Sequence, residues 1–124
     1  MFRAYVIAAA TLCAILQSAH AQETLVGQWS GVYFHKGGQV NVPLELEITS
    51  VEGDLVRANL KEFPRTCGGD YAMVGKIEGK NLGMRAVKPG GPRGDCAFGF
   101  RATLDGSKMT GLVGGTHDLT LTKK

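Results

Sequence analysis

Several residue types and patterns are scarce in this chain, and each scarcity excludes a class of protein. There are one tryptophan, three histidines and three cysteines in 124 residues. After residue 21, no apolar run approaches the roughly 20 residues that a membrane-spanning helix needs. Lys and Arg exceed Asp and Glu by three, and they form no dense cluster. We therefore predict neither a membrane span nor a nucleic-acid partner.

The arrangements of residues that support catalysis are also missing. No serine lies in the turn that exposes a nucleophile in hydrolases, and Glu45 and Glu47 fall on the outward face of a predicted strand. The glycine pairs at 37–38, 68–69 and 114–115 lead into no predicted helix, so we interpret them as turns and not as phosphate-binding loops. We predict a protein that is not an enzyme and has no cofactor. A small hydrolase or isomerase stays as a third alternative.

The first 21 residues have the pattern of an export signal. Arg3 precedes an apolar run over residues 4–16, and Ala19-His20-Ala21 matches the small-x-small site of a signal peptidase. The apolar run of about thirteen residues is too short for a permanent membrane helix. We expect residues 1–21 to be a cleaved signal peptide of the bacterial Sec type. A single domain over residues 22–124 would then be periplasmic or secreted.

This cleavage would remove Cys13 and leave Cys67 and Cys96. Because thiols are oxidised in exported proteins, we expect a Cys67–Cys96 disulfide. Closing a loop of about thirty residues would contribute roughly 3–4 kcal/mol by the chain-entropy argument. Two reduced thiols or a metal pair are the alternatives, although two cysteines without nearby histidines make a poor zinc site.

Apolar and polar residues alternate with a period of two, which is typical of half-buried strands. The clearest run is 40–48, where Val40, Val42, Leu44, Leu46 and Ile48 share one face. Pro43 in this run cannot donate a ladder hydrogen bond, so we predict a bulge or irregular pairing near it. The inward residues of the other runs are Trp29, Tyr33, Val56, Ala58, Leu60, Tyr71, Met73, Ile77, Leu82, Met84, Ala86, Phe98, Phe100, Ala102, Leu104, Met109, Gly111, Val113, Leu119 and Leu121.

Short glycine-centred connectors join these runs and predict hairpins. They lie around Gly53, Gly79 and Gly106. The fold class that follows is all-β: an eight-stranded antiparallel up-and-down β-barrel with one disulfide. In such a meander the tight turns collect at one end. The longer connections, over residues 35–39, 63–69, 88–95 and 114–117, collect at the other.

Gly27-Gln28-Trp29 opens the first of the eight predicted strands, and residues 115–123 form a charged final strand. Together these features resemble the calycin group, which includes the lipocalins and avidins, and the final segment is similar to the closing strand of avidin-type barrels. The Gly-Gln-Trp opening also resembles the small exported inhibitors of metalloproteases, which are disulfide-closed eight-stranded barrels. The resemblance implies a calycin-like fold, and no binding residue is carried over from it.

The longer-loop end is the predicted site, because it collects histidines and basic residues. We predict a non-enzymatic exported binding protein that takes a small or anionic ligand there. The predicted ligand-binding residues are Trp29, Tyr33, His35, Lys36, Arg65, Arg93 and His117. The alternative for the charged residues is that they are solvated loop residues.

His35 and His117 end neighbouring strands of the predicted barrel and could approach each other, but they lack a third metal ligand, so no metal is expected. A second hypothesis is an inhibitor or interaction module that acts on another protein, such as a hydrolase. This second hypothesis is favoured if inward side chains fill the barrel completely, because a small ligand would then have no interior space.

Overall fold

The computed structural model describes residues 25–62, 70–88 and 97–124, and these contain eight β-strands. The strands are β1 (Gly27–His35), β2 (Val40–Glu52), β3 (Leu55–Glu62), β4 (Asp70–Glu78), β5 (Asn81–Ala86), β6 (Gly99–Asp105), β7 (Lys108–Val113) and β8 (His117–Lys123). Each strand pairs antiparallel with the next, and β1 also pairs antiparallel with β8. The predicted eight-stranded antiparallel barrel is therefore confirmed, and its architecture is compatible with that of the calycins.

Three two-residue hairpins join β2 to β3, β4 to β5 and β6 to β7. Their first residues, Gly53, Gly79 and Gly106, have φ angles of 64°, 61° and 59°, and the residue after each is not at positive φ. This sign pattern is that of a type II′ turn, whose twist matches that of the strands it joins. Glycine is favoured at that position because a side chain would strain it.

The predicted inward residues form the core. All of them are buried or partly buried except Val40, which is 51% exposed. The prediction for Val40 is wrong because it is the first residue of β2, at the rim of the barrel, where no further layer of side chains covers it. Leu25, which precedes β1, also belongs to the core at 1% exposure.

The predicted irregularity near Pro43 is also wrong. The pairing of β1 with β2 runs unbroken through Pro43, and the register shift lies between Ile48 and Ser50, where β2 pairs with β3. Among the described residues, the β2–β3 pairs begin at Leu44, so Pro43 lies at the end of that ladder, where a missing N–H is tolerated. Thr49 is the extra residue at the shift, and its Oγ1 donates to the Arg57 carbonyl at 3.1 Å.

Inward-facing glycines occupy β1, β4 and β7 at positions where adjacent strands approach closely. They are Gly31, Gly75 and Gly111, and a Cβ at each would lie 1.8 or 1.9 Å from a carbonyl oxygen of the neighbouring strand. No side chain fits in that space. These glycines therefore permit the strong coiling by which eight short strands close into a narrow barrel.

Several predictions fall on residues that the structure does not describe. The signal peptide over 1–21, Cys67 and Cys96 with their disulfide, and the candidate residues Arg65 and Arg93 all lie outside the described ranges. Across 25–62, 70–88 and 97–124, no helix is both long and apolar enough to cross a membrane.

Candidate functional site

The two ends of the barrel are built differently. One end, which we call the closed end, carries the three type II′ hairpins and the last residues of β8. At the other end, which we call the mouth, β1, β3, β5 and β7 finish and connect to the next strand through residues 36–39, 63–69, 87–98 and 114–116. The predicted division into short and longer connections is therefore present in the strand boundaries.

Five aromatic rings, two from β1, one each from β4 and β8, and one from the residue before β6, form a continuous chain across the mouth. His35 stacks on His117, with ring centroids 4.7 Å apart and planes 15° from parallel. The next contacts are His117 to Tyr33 at 6.2 Å, Tyr33 to Phe98 at 5.8 Å in an edge-to-face arrangement, and Phe98 to Tyr71 at 5.7 Å. We call these five residues the mouth ring chain. The histidine end of the chain is more open to solvent than the tyrosine and phenylalanine end.

Barrel closure is the reason that the two histidines meet. His35 is the last residue of β1 and His117 the first of β8, and these strands are hydrogen-bonded neighbours. The pairing of Tyr33 with Leu119 sets the register that brings both rings to the same height at the rim. The possible approach of His35 and His117 that the strand order suggested is therefore present.

Both histidines use Nδ1 as a hydrogen-bond acceptor from the backbone. The Gly38 N–H donates to His35 Nδ1 at 3.0 Å, and the Lys36 N–H donates to His117 Nδ1 at 3.1 Å. A ring that accepts at Nδ1 carries its proton on Nε2. The pair therefore fastens the β1–β2 connection to the start of β8 and leaves two Nε2–H groups as donors at the mouth.

The structure brings together four of the predicted site residues and separates one. Tyr33, His35, Lys36 and His117 lie at the mouth, with the Lys36 side chain exposed. Trp29 lies at the closed end, where it is completely buried and its Nε1 donates to the Leu25 carbonyl at 2.9 Å. It seals that end of the barrel and does not face the mouth.

Tyr71 and Phe98 belong to the mouth ring chain, although sequence reasoning assigned them only to the core. The signal that could have identified them was their position. Tyr71 follows the connection over 63–69 and Phe98 precedes β6, so each is the inward residue nearest to a long connection. A residue placed there in an alternating strand lies in the outermost layer of the core.

The described part of the chain contains no group of three or more His, Cys, Asp or Glu side chains that could hold a metal ion. The stacked histidines are a pair without a third such ligand in that part of the structure. What the mouth offers chemically is a set of N–H donors and a lysine beside an aromatic floor. This combination can hold an anionic group against an apolar body.

Toward the closed end, the interior is tightly packed. Trp29, Leu46, Val56, Met109 and Leu121 are 0% exposed. An internal cavity that admitted water would give its lining side chains accessible surface, so these residues border no such space. Tyr33, Tyr71 and Phe98 keep 5–8% exposure at the mouth.

No protein-family model, no curated protein and no solved structure matches this chain significantly.

Proposed function

We propose that this chain is a non-enzymatic, exported binding protein that holds a small anionic ligand at the mouth of its barrel. The observation that carries the proposal is the stacked His35–His117 pair, in which both Nδ1 atoms accept backbone N–H groups. That arrangement directs the remaining imidazole donors at a ligand instead of at the protein. Lys36, the first residue of the connection between β1 and β2, adds a positive charge that attracts an anion.

The ligand would sit shallowly. The ring faces and edges of Tyr33, Phe98 and Tyr71 form an apolar floor, and the side chains beneath them are packed. A carboxylate with an aromatic or alicyclic body fits this layout, because its charged group would meet the histidines while its ring packed on the floor. Trp29 has no part in the binding that we propose.

The Cys67–Cys96 disulfide belongs to the same proposal. Cys67 lies three residues before the start of β4 and Cys96 three residues before the start of β6, and both strands begin at the mouth. The contact between Tyr71 and Phe98 already holds the beginnings of these two segments together across β5. A bond between the cysteines would tie two of the longer connections over one side of the mouth.

A titration followed by amide NMR tests the ligand proposal. The purified protein would be titrated with benzoate, cyclohexanecarboxylate and acetate at constant ionic strength. We expect the two ring-bearing carboxylates to shift the amides of Lys36, Gly38 and His117, and acetate to bind at least tenfold more weakly. Two results would contradict the proposal: amide chemical-shift changes spread evenly over the surface, or no such changes at millimolar carboxylate.

His117→Asn and His117→Gln give a matched pair for the same titration. The Asn side chain can accept from the Lys36 N–H but has no donor in place of Nε2–H, whereas the Gln amide nitrogen reaches that position. We expect H117N to bind at least fivefold more weakly and H117Q to bind within about twofold of the parent protein. Lys108→Gln, at the closed end, is the charge control and should bind normally.

A second candidate function is an inhibitor or interaction module that acts through the same end. It is favoured by exposed apolar side chains on the outer wall near the mouth: Val32, Phe34 and Leu112 are 37%, 36% and 40% exposed. Leu112 lies opposite Asp118 of β8, and Phe34 follows Tyr33, the last β1 residue that pairs with β8. Exposed apolar groups that cluster mark protein contacts more often than isolated ones do.

Inhibition assays against exported proteases and glycosidases test this second candidate. We expect Phe34→Ser to weaken any inhibition at least tenfold, while Thr120→Ser, on the same outer wall, leaves it unchanged. Absence of inhibition of every hydrolase tested, together with a positive carboxylate titration, would favour the small-ligand function.

A further inference from the structure

A second surface, which reaches the mouth at Phe98 and Gly114 but does not include the two stacked histidines, carries the charge pattern of an anion site. It is a groove of about 1010 Å³ on the outer wall formed by β4, β5, β6 and β7. Its charged lining residues are Lys76, Arg85 and Arg101 on the positive side and Glu78 on the negative side. We call this surface the cationic groove.

Gly83 forms the floor at the centre of the cationic groove. In the sheet register it lies opposite Lys76 on β4 and opposite Arg101 on β6. A Cβ built at Gly83 would meet nothing within 4 Å, so the space above the backbone is open. Because adjacent strands are about 4.8 Å apart, the two cations rise on opposite sides of an empty gap roughly 10 Å wide.

Arg85 completes the ring of cations. It lies two residues beyond Gly83 on the same face of β5, opposite Gly99, which is another position without a side chain. All three cations are exposed, and none forms an ion pair with a described Asp or Glu. Glu78, the acidic residue of the groove lining, lies opposite Asn81, in the row next to that of Gly83.

The other outer-wall groove has the reverse charge, which shows that the cations are sorted and not spread evenly. It measures about 470 Å³ on β1 to β4, and its charged lining residues are Glu45, Glu47, Asp70 and Lys61. Two of its three acids have partners within the protein: Glu45 pairs with Lys124 at 3.1 Å, and Glu47 accepts from the Gln28 amide. The cations around Gly83 lack such partners in the described structure.

We infer that the cationic groove binds a phosphorylated carbohydrate, with the phosphate over Gly83. Two guanidinium groups and one ammonium around an open backbone floor suit a phosphate dianion, because arginine binds its oxygens in a bidentate manner. Beside the phosphate position, Asn81, Thr103 and Thr110 present amide and hydroxyl groups in one row across β5, β6 and β7. Thr103 Oγ1 donates to Asn81 Oδ1 at 3.3 Å, which orients the Asn81 amide nitrogen as a donor for sugar hydroxyls.

Calorimetry and amide NMR with three probes test this inference: glucose 6-phosphate, glucose and inorganic phosphate, all at constant ionic strength. We expect glucose 6-phosphate to shift the amides of Gly83, Arg101 and Thr103. Inorganic phosphate should bind at the same amides at least fivefold more weakly, and glucose should not bind. Equal binding of phosphate and glucose 6-phosphate would overturn the carbohydrate part of the inference, and binding of neither would overturn all of it.

Gly83→Val is the decisive variant, since its side chain would occupy the phosphate position while an outward valine suits a strand. We expect at least a tenfold loss of glucose 6-phosphate affinity, with the circular dichroism spectrum unchanged. Arg101→Gln should lower the affinity for glucose 6-phosphate by a similar factor. Lys61→Gln, in the acidic groove, should retain the parent affinity, and an equal loss in K61Q would reveal only a general charge effect.

Two further outcomes separate this site from other sources of phosphate and from the mouth. Binding to phosphatidic acid vesicles without binding of glucose 6-phosphate would replace the inference with a membrane-surface role. His117→Asn should leave glucose 6-phosphate affinity within twofold. If H117N abolished it, the phosphate would be bound at the mouth and the cationic groove would not be the site.

Discussion

The closed end and the mouth of this barrel use aromatic side chains for different purposes. At the closed end, Trp29 is completely buried and donates its indole N–H to the Leu25 carbonyl. At the mouth, Tyr33, Tyr71 and Phe98 keep a small exposed fraction and lead to two histidines at the rim. One end therefore uses its ring to exclude water, whereas the other presents a graded surface from apolar to polar.

The connections explain why the two ends diverge. A two-residue type II′ turn brings its strands together at once, so the closed end has no room between strands for a binding surface. At the mouth, longer connections follow the strand ends, and His35 at the end of β1 and His117 at the start of β8 place their rings at the rim. The binding site that we propose therefore lies at the end where the connections are longer.

The largest expected effect comes from removing the seal at the closed end. Trp29→Ala would leave a cavity and an unpaired Leu25 carbonyl, so we expect the free energy of unfolding to fall by about 3–5 kcal/mol. Trp29→Phe should lose about half as much. Urea denaturation followed by circular dichroism measures both. If Phe98→Ala, at the mouth, costs as much as W29A, the distinction between the two ends does not hold.

We expect the next largest effect from loss of the predicted Cys67–Cys96 disulfide, which in our proposal ties two connections at the mouth. The double variant Cys67→Ser/Cys96→Ser should lose roughly 3 kcal/mol of unfolding free energy by the chain-entropy argument. Adding a reductant to the parent protein should produce a similar loss. Mass spectrometry of the exported protein should show both thiols oxidised. Two reduced thiols in that experiment would contradict the prediction.

Gly31 lies between Trp29 and Tyr33 on the inner face of β1. A substitution there tests whether both ends of the barrel depend on the coiling of this strand. Gly31→Ala would place a methyl group against the Thr120 carbonyl, and we expect a loss of about 2–3 kcal/mol. Gly83→Ala is the matched control, because a Cβ there meets nothing. That control should change stability by less than about 0.5 kcal/mol. Equal effects in the two variants would show that close approach is not the cause.

The smallest effect concerns the edge-to-face contact of Tyr33 with Phe98 at the mouth. A double-mutant cycle with Tyr33→Leu and Phe98→Leu should give a coupling of about 0.5–1.5 kcal/mol. Met73 and Leu121 make no ring contact, so a double-mutant cycle on that pair should give a smaller coupling free energy. A coupling near zero for Tyr33 and Phe98 would mean that the rings of the mouth do not act as one surface.

Much of the fold could be predicted from alternation and turn chemistry. Leu44, Leu46 and Ile48 are inward because a strand turns every second side chain to the same face. A glycine between two such strands predicts a hairpin because it tolerates the positive φ that the turn needs, and Gly53 has such an angle. Two expectations failed for local reasons. Val40 is at a strand end beyond the last core layer, and the irregularity of β2 is at Thr49, where no proline or glycine marks it.

The candidate site could be predicted only in part. His35, Lys36 and His117 were identifiable because they lie in or beside longer connections. Alternation predicts that Tyr71 and Phe98 belong to the core, but it does not predict that they lie at the mouth. It shows which face of the sheet a residue is on and not how far the residue lies from either end of the barrel. The same limit applies to Trp29, which is a predicted ligand-binding residue because it shares the inward face with Tyr33, but which lies buried at the opposite end.

The sequence by itself determined the strands, their inward faces and their hairpins, because each depends on residues close together in the chain. Only the tertiary structure decided which distant residues meet. Pairing of β1 with β8 stacks His35 on His117, and the register of β4, β5 and β6 surrounds Gly83 with three cations. The physical reason is that alternation within a strand shows which face a residue is on, but it does not show which residue of another strand lies beside it.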